Sequence, residues 1–294
     1  MNQKRRGIPL RPHEPTGALP GTGGSGRRWL GRPSTPQAVV IVVAYLAFYL
    51  LVGWAIGLLA RHRIVEGDVL ATVGSIFFAL VLPIGIGALS LVGFTRAAGW
   101  TRSVFGRRRD RGPRWMWLAP ALVCLAILGH AGATEWSAWS AGQIAALALA
   151  GLCIGLAEEL LTRGLVVKVL RDARHSERYV MIGSALLFAL LHLSNLISGM
   201  KPGTVAATVV YTFGFGTCMY LTMRVTGTLW AAIALHALTD PTTFLATGGV
   251  DEAVASQSSG MWSLLTVGST LGMIVLTFVA VFLVKGRRPL PPAV

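Results

Sequence analysis

The sequence predicts an all-α, polytopic membrane protein, a bundle of about eight transmembrane helices. Three observations carry this reading. Of 294 residues, 53% are hydrophobic and only 13% charged, whereas an ordinary soluble domain carries about 25% charged residues. The mean hydropathy is +0.63, and the apolar residues fall in blocks of about twenty, the length a helix needs to cross a bilayer. The basic residues crowd into alternate connections between those blocks. So little charge cannot cover a water-facing surface, which excludes a soluble globular domain. The net charge of +14 reads as a topology signal rather than a nucleic-acid surface, so no nucleic-acid partner is expected.

Taken in order, residues 1–36 are rich in Gly, Pro, Ser and Arg and end in GRPSTP, just before Gln37. They are expected to be a disordered, basic cytoplasmic tail lying along the anionic leaflet. A transmembrane domain is expected over 37–285, with its motif-bearing core at 142–245, followed by a short cytoplasmic tail at 286–294. Span one runs from Ala38 to about Ala60, and span two from about Val69 to Phe94 with Pro83 as a kink. Span three covers Trp115 to about His130, span four about Gln143 to Leu170, and span five Tyr179 to Ser198. Span six covers about Thr204 to Met223. Span seven, about Leu229 to Leu245, is short and interrupted by Pro241, and span eight runs from Met261 to Val284.

The positive-inside rule tests this division. Basic residues precede span one (Lys4 to Arg32) and fill the connections after spans two, four and six. They also follow span eight, giving 22 of the 26 Lys and Arg on one side. The other side has Arg61, Arg63 and Lys201, and Arg163 lies within a span. Both termini are therefore expected in the cytoplasm of a multi-pass cell-membrane protein. Trp100, Trp115, Trp117, Trp136, Trp139 and Trp262 fall near span ends, where the indole suits the headgroup region. Gly53-x-x-x-Gly57 fits close helix approach. Cys124, Cys153 and Cys218 sit in apolar stretches without CxxC spacing and read as packing residues.

Ionisable residues inside a membrane are costly and mark function. Of twelve acids, Glu158, Glu159 and Asp240 alone fall within spans, with Arg163, His192 and His236. At about 100° per residue, Glu159 and Arg163 share a helix face, whereas Glu158 lies about 140° from Arg163. Glu158 is thus the less compensated carboxylate, the character a general base requires. Phe188 and His192 are one turn apart on span five, as are His236 and Asp240 on span seven. A structural Glu–Arg pair and hydrogen-bonded packing histidines are the bland readings of the same residues. Depth argues for convergence. Glu158 lies thirteen residues before Arg171, His192 thirteen after Tyr179, and His236 twelve after Arg224. At about 1.5 Å per residue, all three lie roughly 18–20 Å from the cytoplasmic side.

Glu158-Glu159-x-x-x-Arg163, Phe188-x-x-x-His192 and His236-x-x-x-Asp240 resemble the three ordered motifs of the CPBP family, the type II CAAX prenyl proteases and bacteriocin-processing Abi proteins. The resemblance covers about 142–245. It implies an eight-helix bundle that hydrolyses a peptide bond of a membrane protein or lipidated, CAAX-like or leader-peptide substrate in the bilayer. By resemblance Glu158 activates water, assisted by His192, and His236 with Asp240 stabilises the oxyanion. Glu159, Arg163 and Phe188 support them. The chain departs from the pattern at Thr162, where an aromatic is favoured, and at Asp240, which often is Asn. The family has been read both as metal-independent glutamate proteases and as metalloproteases, so the expected cofactor is either none or a divalent ion such as Zn²⁺ held by Glu158, His192 and His236. Two other classes use the same residue types: a non-enzymatic membrane partner or assembly factor, and a proton-coupled transporter.

Overall fold

A computed structural model describes residues 33–108, 110–250 and 260–286. Nearly all of the expected N-terminal tail, and all but its first residue of the C-terminal one, lie outside the described residues. Within them the fold is helical throughout, with no strand. Helix α1 (Thr35–Leu59) starts at Ser34, whose side chain caps the Gln37 amide, with Pro36 in the first turn. This use of proline suits a position where a backbone donor would be orphaned anyway. Helix α2 (Val73–Ala97) contains a π-turn at Phe77–Val81. The wide turn directly precedes Pro83, whose ring cannot continue a regular ladder. Helix α3 (Thr101–Phe105) is short, and α4 spans Arg114–Ala133.

Helix α5 (Ala141–Asp172) begins with a capping box between Ser140 and Gln143 and widens into a π-turn at Leu160–Val166. Helix α6 (Glu177–Leu196) is α-helical to Leu191 and tightens to 3₁₀ over His192–Leu196. Helices α7 (Pro202–Thr226) and α8 (Leu229–Thr247) each end on a left-handed glycine, Gly227 at φ 75° and Gly248 at φ 74°, where a side chain would be strained. Helix α9 covers Met261–Leu283.

Seven of these helices are long and apolar enough to cross a membrane: α1, α2, α4, α5, α6, α7 and α9. The expected eighth span exists as α8, but it falls outside that set. Its His236, Asp240, Pro241 and run of threonines dilute its apolarity. Nor is α8 broken at Pro241, as the sequence suggested. The helix runs through the proline, and the structure accommodates it against α5. A Cβ on Gly151 would lie 2.3 Å from Pro241 Cγ and 2.4 Å from the Ala237 carbonyl oxygen, the acceptor that Pro241 leaves without its helical donor. One turn on, a Cβ on Gly155 would meet Ile233 O at 2.7 Å and Ala237 N at 2.8 Å.

Gly151-x-x-x-Gly155 is therefore the small-residue seam that lets two backbones touch. The reading of Gly53-x-x-x-Gly57 as such a seam is corrected. A Cβ at either position meets nothing within 4 Å, because α1 lies at the periphery, with most of its apolar side chains facing outward. Helix α5 is the centre of the bundle. Every residue of its π-turn is buried, and Arg163 heads the largest fully buried side chains.

Candidate active site

The seam sets α5 and α8 close enough for their polar residues to meet. Glu158 and Glu159 end the regular part of α5, and the π-turn begins one residue later. Such wide turns are frequent at functional sites because they aim adjacent side chains in new directions. Glu159 points into protein and is fully buried, whereas the Glu158 side chain keeps 29% of its surface accessible and lines a cavity. From α8, His236 projects between them. Its Nδ1 lies 2.8 Å from Glu159 Oε1, and its Nε2 lies 3.4 Å from Glu158 Oε2 and 3.5 Å from Asp240 Oδ2.

Arg163 closes the arrangement from below. Its Nη1 donates to Glu159 Oε1 at 3.1 Å and to Thr162 Oγ1 at 2.5 Å. The guanidinium carbon lies 4.5 Å from the Phe188 ring centroid, a buried cation–π contact. Gly216 of α7 makes room for it, since a Cβ there would lie 2.7 Å from Arg163 Nη2 and 3.0 Å from Phe188 Cδ1. Phe188 in turn sets its ring edge-to-face with both His192, at 5.1 Å, and His236, at 5.8 Å. Thr162, where the motif favours an aromatic, serves here as a short hydroxyl partner for the arginine.

His192 opens the 3₁₀ segment of α6, and its Nδ1 lies 3.2 Å from the Phe188 carbonyl oxygen. A carbonyl only accepts, so Nδ1 carries the hydrogen and Nε2 presents a lone pair. The cavity, of about 730 Å³, is lined by Glu158, His192, His236 and Asp240 together with Phe188. Glu159 and Arg163 are not among its lining residues. The structure thus brings the four residues expected to be catalytic to one cavity and sets two of the supporting three behind it.

The sequence reading passes over the aromatic part of the lining and takes Asn195 as a packing residue. Tyr45 and Tyr49 of α1, Tyr211 and Phe215 of α7, and Asn195 of α6 all line the same cavity. The aromatic pairs are each four residues apart, the spacing of one helix face, and that was the available signal. Phe215 also stands edge-on to His236 at 4.8 Å. Asn195 lies three residues after His192, and in a 3₁₀ helix residues i and i+3 eclipse. Its Nδ2 is buried without a hydrogen-bond partner.

The expected metal trio does not fit this arrangement. Among the described residues no three His, Cys, Asp or Glu side chains group as ligands. His236 commits Nδ1 to Glu159, and its Nε2 faces two carboxylates.

No curated protein and no solved structure matches the chain. A family model does match, over residues 139–242: type II CAAX prenyl endopeptidase Rce1-like. That segment, about a third of the chain, holds the whole of the α5–α8 seam and all three motifs, and over it the chain is similar to the type II CAAX prenyl endopeptidase family that its motifs resemble.

Proposed function

We propose that the chain is an intramembrane endopeptidase that hydrolyses a peptide bond of a membrane-associated protein or lipidated peptide, with Glu158 as general base. One observation supports this most: Glu158, His192, His236 and Asp240, drawn from three helices, line one apolar-walled cavity. Glu158 takes a proton from water, and His192 Nε2 accepts a hydrogen bond that orients the same water. The hydroxide attacks the scissile carbonyl carbon. The proton on Glu158 then passes to the departing amine.

The developing oxyanion needs neutral or positive donors. Asp240 is a poor one, being a carboxylate, and the hydroxyls of Thr208, Thr212 and Thr243 are spent on backbone carbonyls. Asn195 supplies the amide donor that the cavity otherwise lacks, its Nδ2 being unpartnered. His236 Nε2, 3.5 Å from Asp240, offsets the charge that Asp240 would set against the oxyanion. His236 is itself held by Glu159, which Arg163 holds. Both termini lie in the cytoplasm in this reading, with α8 crossing the bilayer as the eighth span.

The test is turnover of a membrane-peptide library by purified protein, wild type against Glu158→Gln, with a melting curve for each. Cleavage lost by a variant that melts like the wild type supports the protease. Equal cleavage by both would overturn it in favour of an assembly factor or a transporter.

A further inference from the structure

A second cavity lies away from the site, at the other end of α5. It measures about 290 Å³ and is lined by Arg102 and Ser103 of α3, Arg107, Arg108 and Asp110 of the following connection, and Lys168, Arg171 and Asp172 of α5. The connection is not loosely draped. Arg108 N donates to Gly227 O at 2.8 Å and Gly112 N to Arg224 O at 2.9 Å, so its backbone is pinned to the end of α7. The cations around the cavity exceed the acids near them. Lys168 pairs with Asp172 at 2.5 Å, and Arg171 with Glu177 at 2.7 Å. Glu177 must also serve Arg224 and accept from Tyr220. The lining thus holds five cations, Arg102, Arg107, Arg108, Lys168 and Arg171, against two acids, Asp110 and Asp172.

Arg171 is the decisive residue. It is 6% exposed, and its Nε is buried with no hydrogen-bond partner. A guanidinium N–H withheld from water and from protein is costly to leave unmade, and Arg171 lines a cavity of surplus positive charge. We propose that this cavity binds a phosphate-bearing anion. The headgroup phosphate of an acidic phospholipid and free inorganic phosphate share that chemistry. The lipid is favoured by position, because Lys168 Nζ sits 4.8 Å over the Trp100 ring, an indole placement typical of the headgroup level. Basic pockets between helix ends at that level suit acidic headgroups.

The experiment uses the full chain in a neutral detergent, with native mass spectrometry counting bound lipid and a melting curve for each sample. Phosphatidylglycerol, phosphatidylcholine and inorganic phosphate are titrated separately. Arg102→Gln with Arg107→Gln removes two exposed cavity charges, and Arg61→Gln with Arg63→Gln removes two charges elsewhere. Phosphatidylglycerol should bind and raise the melting temperature where phosphatidylcholine does not, and the cavity variant should bind it about thirtyfold more weakly. The control variant should bind like the wild type. Stabilisation by inorganic phosphate without phosphatidylglycerol would keep the anion site and make a free anion its ligand. Binding of neither, or equal weakening in both variants, would overturn the proposal. None of these readouts depends on proteolysis.

Discussion

Glu159 and His236, seventy-seven residues apart, share a 2.8 Å hydrogen bond between Oε1 and Nδ1, and the same carboxylate oxygen accepts from Arg163 at 3.1 Å. One buried oxygen thus ties the arginine of α5 to the histidine of α8. Its neighbour Glu158 remains open to the cavity. Adjacent glutamates in the sequence therefore have opposite surroundings.

The two should respond differently to the same substitution. Glu159→Gln leaves Arg163 uncompensated where no water reaches it, and breaking such a pair costs about 3–5 kcal/mol. Its melting temperature should fall clearly in detergent. Glu158→Gln should melt near the wild type and lose turnover. The reverse pattern, with Glu158→Gln unstable and Glu159→Gln stable but inactive, would exchange the proposed roles.

The seam makes a prediction about packing. Gly151→Leu and Gly155→Leu drive a side chain into the α8 backbone, an overpacking that costs about 1–3 kcal/mol or more. Gly53→Leu and Gly57→Leu meet open space and should leave the melting temperature unchanged. Equal destabilisation at both pairs would mean that α1 packs where the structure leaves it free.

Asn195→Ala should lower kcat about 10²–10³-fold, the usual loss of one oxyanion donor, with KM and melting temperature little changed. A KM effect with kcat intact would place Asn195 in substrate binding instead.

Incubation with a strong chelator, followed by assay, should leave peptide cleavage at its starting rate, because no three His, Cys, Asp or Glu side chains among the described residues are placed to hold an ion and His236 commits its Nδ1 to Glu159. Activity lost on chelation and restored by Zn²⁺ would require Glu158, His192 and His236 to regroup.

Topology is open to labelling. Single cysteines at positions 33 and 290 should react from the same side of the membrane, as eight crossings require. Reaction from opposite sides would mean that α8 does not cross and that seven spans complete the fold.

The sequence by itself determined the class of the protein, seven of the expected spans and the polar set. Apolar block length is set by bilayer thickness, and buried charge is too costly to be scattered by chance, so both can be read one helix at a time. The i, i+4 pairing of Glu159 with Arg163 is likewise local, fixed by helix pitch. Contacts between helices are not. That His236 reaches back to Glu159, that Asn195 shares the cavity of Glu158, and that Gly151 and Gly155 rather than Gly53 and Gly57 form the seam follow from how helices approach one another. Pro241 shows the reason most directly. Taken alone it forbids a helical hydrogen bond and predicts a break, yet α8 runs straight through it, because the glycine surface of α5 takes up both the ring and the carbonyl that the ring leaves behind.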